Sequence, residues 1–160
     1  MKSSILYIME TTDTAVSTIA YRERVAWVSI AAFTLPYLPY FAWVAFAEGA
    51  ATASMATSLW AFGFASGSSA LIYGVGRLWL LWQCADEARL PMDERDRAIA
   101  RRSLTVAYGL LMAGMIVVGG ILPFTRGGWE VARPAFLMIL LAEVVRDSTV
   151  VWCYRRGFHE

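Results

Sequence analysis

The sequence predicts an all-α polytopic membrane protein, an antiparallel four-helix transmembrane bundle with both termini on the cytoplasmic side. Three observations carry this. Of 160 residues, 58% are hydrophobic and only 17% charged, against about 45–50% apolar and about 25% charged in soluble domains. The apolar residues gather into four stretches near the ~20 residues needed to cross ~30 Å of hydrocarbon as a helix. The basic residues lie almost all on one side of those stretches.

The first predicted span covers about 25–47 and holds no charge within its apolar run Val25–Ala47. The second covers about 58–82 and carries Arg77. The third helix starts near Glu94, in the cytoplasm, enters the membrane near Ser103 and ends near Leu122. The fourth covers about 135–154 and carries Glu143, Arg146 and Asp147. The loops between spans are short, so consecutive helices should be antiparallel neighbours.

Orientation follows from lysine and arginine placement. Lys2, Arg22 and Arg24 precede the first span, and Arg89, Arg95, Arg97, Arg101 and Arg102 lie between the second and third. Arg155 and Arg156 follow the fourth, whereas the opposite side holds only Arg126 and Arg133. The tail at 1–24, the loop 85–102 and the end 157–160 are therefore read as cytoplasmic. Tryptophans, Trp129 among them, sit near the expected interfaces, as amphipathic rings should. Residues 1–20 lack the apolar run of a cleavable signal peptide and read as a tail.

The loop 85–102 is the most polar stretch. Pro91 interrupts any helix through it. Asp93 is the expected N-cap of the next helix, with Asp96 three residues on in an approximate capping box. Asp93 and Arg97 form a favourable i,i+4 pair. The run Asp93, Glu94, Arg95, Asp96, Arg97 is thus a capped, solvated segment and a candidate cytoplasmic interaction loop.

Charge inside a span is costly, at roughly 2.5–3.5 kcal/mol on insertion scales. Glu143 falls near the middle of the fourth span, with Arg146 and Asp147 one turn on. Arg77 can reach them from the second helix. Arg77, Glu143, Arg146 and Asp147 are therefore a candidate intramembrane polar cluster. Either its charges cancel and pin the helices, or it is a proton relay, ion site or ligand site.

Gly63, Gly67, Ala70 and Gly74 recur along one face of the second helix, with Gly109 and Ala113 similar in the third. Small faces let helices approach closely, and a partner within the chain is the natural expectation. Pro36 and Pro39 should kink the first helix, giving a bent packing helix or a widened cavity lined by Tyr37 and Tyr40. Arg77 before Cys84 and Arg146 before Cys153 repeat one spacing, which suggests either two related hairpins or coincidence.

Several chemistries find no support. His159 is the only histidine, which excludes a paired-histidine haem bundle. There is no zinc motif, P-loop or nucleophile elbow. Cys84 and Cys153 form no C-x-x-C and read as reduced, inert thiols. Net charge is +1, so nucleic acid is not an expected partner. No cofactor, metal or catalytic residue is expected.

Three segments together resemble a group of small, uncharacterised bacterial inner-membrane proteins of this length. They are Tyr21-Arg22-Glu23-Arg24 leading to Ala26-Trp27-Val28-Ser29; Asp93-Glu94-Arg95-Asp96-Arg97 with Ile99 and Ala107-Tyr108; and Ala142-Glu143-Val144-Val145-Arg146 with Tyr154-Arg155-Arg156-Gly157. The resemblance spans residues 21–157 and implies a four-helix fold in the inner membrane, with no reaction attached. Arg77 stands where similar chains are expected to have a histidine. The leading expectation is a non-enzymatic protein that binds a membrane or cytoplasmic partner, or regulates one. The alternative is a small transporter or proton-coupled carrier, acting as a homodimer, with Glu143, Arg77 and Arg146 at its site.

Overall fold

A computed structural model of the chain describes residues 2–46, 54–89, 91–125 and 129–156. Arg126, His159, the end 157–160 and the side chains of 1–20 and Trp129 lie outside the described residues. The described chain is all-helical. Four long helices, α1 (Lys2–Phe46), α2 (Met55–Gln83), α4 (Glu94–Gly120) and α5 (Trp129–Arg156), are joined with a single turn α3 (Ala85–Ala88) and a 3₁₀ turn at Leu122–Phe124. The segment expected to be a tail is helical and continuous with α1, which begins at Lys2 rather than near Val25.

The helix ends follow local chemistry. Ser54 caps α2, its Oγ accepting from the Thr57 amide at 3.2 Å. Pro91 separates α3 from α4, and Asp93 caps α4, its carboxylate accepting from the Glu94 amide at 2.7 Å. Glu94 and Asp96 place negative charge on the first turn, where it complements the positive end of the helix dipole. Neither half of a capping box is made among the described residues: Asp93 accepts from Glu94 rather than Asp96, and the Asp96 carboxylate is held by Tyr154 and Arg22. No ion pair joins Asp93 to Arg97 among the described residues.

The helices pack in the spatial order α2, α1, α5, α4. Each hairpin pairs its own two helices, and the hairpins meet through α1 and α5. Two hairpins related by a twofold would match that contact with an equal one between α2 and α4. None of comparable extent exists among the described residues, so the repeated Arg–Cys spacing has no counterpart in the packing.

Small side chains fill the contacts: Ala26, Ser29, Ala32, Ser58, Ala65, Ser69, Ser103, Ala107 and Ala142 are buried. The glycines expected to pack do not. A Cβ on Gly63, Gly67 or Gly74 would have nothing within 4 Å, and Ala70 is exposed. This corrects the expectation that their face meets a helix of the same chain. α2 is an edge helix, and it turns a different face inward. The close approaches are at Gly76 and Gly114. A Cβ on Gly76 would lie 2.6 Å from Val28 Cγ1, and one on Gly114 2.5 Å from the Met138 sulfur.

Val28 is β-branched and cannot swing aside as methionine does. Gly76→Ala should therefore cost about 1–3 kcal/mol, the usual range for overpacking. Gly63→Ala should change stability by no more than about 0.5 kcal/mol. Denaturation in mild detergent compares them, and equal stability of the two variants would contradict the packing of α1 on α2.

α1 stays helical through Pro36 and Pro39. The tyrosines beside them part ways. Tyr37 pairs its hydroxyl with Ser66 of α2 at 2.9 Å and borders an apolar groove of about 460 Å3 between α1 and α5. Tyr40 is buried against Phe41 and Phe62 and is absent from that groove's lining. Phe62 in turn meets Phe136 at 4.6 Å, tying α2 to α5 at the other end from Pro91.

Two helical stretches, Tyr21–Phe46 and Glu94–Phe124, are long and apolar enough to cross a membrane. Only 22% and 17% of their most apolar windows are buried. Core helices of a soluble protein hide such stretches. Here the large apolar side chains point outward, with Leu35 63%, Leu38 63% and Ile116 66% exposed. α2 is diluted by glycine and serine, and α5 carries several charges, so neither meets the same test.

Candidate functional site

At the α3 end of the bundle a cavity of about 460 Å3 opens between α1, α2, α4 and α5. Helical spacing explains how each element contributes. Tyr21, Arg22, Val25 and Ala26 recur at one- and three-residue steps on α1, and Arg77 and Leu81 stand four apart on α2. Asp96, Ile99 and Ala100 come from α4, and Asp147, Val150 and Tyr154 from α5. Residues three and four apart share a helix face, so each helix presents one stripe.

One carboxylate ties three helices together. Asp96 accepts from the Tyr154 hydroxyl at 2.7 Å on Oδ1 and pairs with Arg22 at 3.1 Å on Oδ2. The side chains of Arg22 and Asp96 are 18% and 10% exposed. Outside this tie, Arg155 donates to Glu23 at 2.7 Å and lies 5.5 Å above the Trp27 ring. α1 and α5 are thus joined by two separate polar contacts, one in the cavity wall and one outside it.

The second polar group lies on α5. Arg146 reaches Glu143 at 2.8 Å and donates twice to Oδ1 of Asp147, at 3.2 Å from both Nε and a terminal nitrogen. Glu143 is therefore a paired carboxylate, not a solitary one. Asp147 is only 5% exposed, and its Oδ2 is buried with no hydrogen-bond partner among the described residues. A buried carboxylate oxygen left without a donor is costly.

Arg77 does not join this group. It lines the same cavity as Asp147, yet forms no hydrogen bond or ion pair among the described residues. Of the four residues expected to cluster, the structure joins Glu143, Arg146 and Asp147 on one turn of α5. Arg77 faces the cavity from α2. The expected interaction loop divides as well. Asp93, Glu94, Arg95 and Arg97 are exposed, whereas Asp96 is buried in the cavity wall.

Sequence reasoning did not single out Arg22 or Tyr154. The signal was present: Tyr21-Arg22, Asp96 with Ile99, and Tyr154 belong to the three segments quoted for the resemblance, and all line this one cavity. Cys84 and Cys153 are free thiols, the latter buried. Among the described residues no three His, Cys, Asp or Glu side chains come together as a metal site would need. Comparison of the chain with family models, curated proteins and solved structures gave no match.

What the arrangement offers is recognition. Its wall carries the Arg77 guanidinium, which has no acceptor among the described residues, and apolar side chains such as Leu81, Met92 and Val150. A mostly apolar cavity of a few hundred Å3 with a few placed polar groups is the usual form of a small-molecule site.

Proposed function

We propose that the protein is a multi-pass protein of the bacterial inner membrane, crossing it four times with both termini cytoplasmic. Its cavity at the cytoplasmic end binds a small ligand without transforming it. The observation that carries the ligand-binding reading is the cavity of about 460 Å3 whose wall includes Arg77, a guanidinium with no hydrogen bond or ion pair among the described residues. Three features support the membrane reading: outward-facing apolar residues on α1, α2, α4 and α5, two helices apolar enough to span, and the bias of basic residues to one side.

The role is regulatory or partner-binding. Asp96 is part of the cavity wall, while its neighbours Glu94, Arg95 and Arg97 are exposed on the same helical turn. Ligand occupancy and the surface offered to a cytoplasmic partner are therefore joined by one rigid element. A proton relay through a solitary Glu143 has less support, because Arg146 already holds that carboxylate.

Val150→Cys in a Cys84→Ala/Cys153→Ala background tests the reading. A water-soluble thiol reagent applied from the cytoplasmic side should label it. Ile139→Cys, exposed on the apolar surface of α5, should stay unlabelled. No reaction at position 150, or equal reaction at both, would show that the cavity is not an open, aqueous, cytoplasmic site.

A further inference from the structure

One face of α4 carries a stripe that begins in charge and continues in apolar side chains. Arg97, Arg101, Leu104, Tyr108, Met112 and Met115 follow at steps of four, three, four, four and three. Such steps place them on one side of the helix, and every one of the six is exposed. We infer that this stripe holds one anionic phospholipid of the cytoplasmic leaflet. Its phosphate sits between Arg97 and Arg101, and its chains lie along Leu104, Tyr108, Met112 and Met115. This rests on the membrane reading above and is independent of the cavity.

The head of the stripe calls for an anion. Arg97 and Arg101 form no hydrogen bond or ion pair among the described residues. Asp93, four residues before Arg97, spends its carboxylate on the Glu94 amide. Glu94 shares the face and forms no ion pair with Arg97 among the described residues. Like charges four apart on a helix repel. An anion shared between them replaces that repulsion with two charge-assisted contacts. The two Cβ atoms of such a pair stand about 5–6 Å apart, so both guanidinium forks reach one phosphate, whose oxygens they suit.

The length of the stripe points to a lipid. In the four-span reading α4 enters the membrane near Ser103, which puts Arg101 at headgroup level and Arg97 about 6 Å farther out. From Leu104 to Met115 the helix rises about 16 Å, close to half of the ~30 Å hydrocarbon layer. A charged head above one leaflet's depth of apolar surface matches a phospholipid in both parts. A soluble phosphate would use only the arginines.

The full chain, purified in non-ionic detergent, is titrated with dioctanoyl phosphatidylglycerol or dioctanoyl phosphatidylcholine and followed by native mass spectrometry. The anionic lipid should bind one per chain at a concentration at least about tenfold below the choline lipid, whose cation the arginines repel. Arg97→Gln/Arg101→Gln, which breaks no bond seen in the fold, should bring the two lipids to within about twofold. Arg89→Gln/Arg95→Gln removes the same charge from exposed positions off the stripe and should leave the preference intact. Glycerophosphoglycerol, the same anion without chains, should not compete.

Equal binding of the two lipids by wild type overturns the site, as does an unchanged preference in Arg97→Gln/Arg101→Gln. Equal loss in both double variants would mean diffuse charge attraction, and competition by glycerophosphoglycerol would mean a soluble anion; either overturns the lipid. A chain that stays monodisperse once detergent is withdrawn removes the membrane reading beneath it.

Discussion

Arg146→Leu is expected to be the most damaging single substitution in the molecule. Leucine keeps much of the bulk but removes the one side chain that holds both Glu143 and Asp147. Asp147 would then be a buried carboxylate with neither oxygen paired. Removing one partner from a buried ion pair costs about 3–5 kcal/mol, mostly for the charge left behind. Denaturation in mild detergent should show a loss of this size. Combining Arg146→Leu with Glu143→Gln and Asp147→Asn should recover most of it, since neutral amides leave no stranded charge. If Arg146→Leu matched wild type, the three groups would not form a mutually dependent cluster.

The second large effect is expected at Asp96. Asp96→Ala removes the acceptor shared by Arg22 and Tyr154, so α1, α4 and α5 lose their common tie. The range for a broken buried pair is again about 3–5 kcal/mol. The part-exposure of Arg22, at 18%, puts the loss toward the lower end, because water reaches the stranded guanidinium. Asp93→Ala, three residues earlier in the same acidic run, removes only a helix cap and should cost about 0.5–2 kcal/mol. Arg22→Leu should be partly redundant with Asp96→Ala in a double-mutant cycle. Fully additive losses would mean that the two residues do not act through each other.

These contrasts mark how far the sequence was legible. Asp93 was recognisable as a cap because capping is decided within a few residues. The break at Pro91 and the four long helices were legible for the same reason: helical periodicity and the missing proline donor are local properties. The helical start at Lys2 was missed, since a mixed polar stretch signals neither a span nor a turn.

The small-residue stripe on α2 shows the limit. Spacing established that Gly63, Gly67, Ala70 and Gly74 share a face. Which face of α2 meets α1 depends on helix rotation, which is set by the whole packing. The structure turned Gly76 inward against Val28 and left the stripe outside. Likewise, Glu143, Arg146 and Asp147 were a local group and could be read from their spacing. Arg77 was assigned to them only by depth in the span, and depth does not specify distance across a bundle.

By itself, the sequence determined the helical class, the break at Pro91, the Asp93 cap and which residues share a turn, because these depend on chemistry within a few residues. Tertiary structure alone decided that Arg22, Asp96 and Tyr154 meet on one carboxylate, and that Arg77 and Asp147 face one cavity. Those residues lie up to 132 positions apart along the chain. Nothing in local periodicity encodes the rotation and order of helices that bring them together.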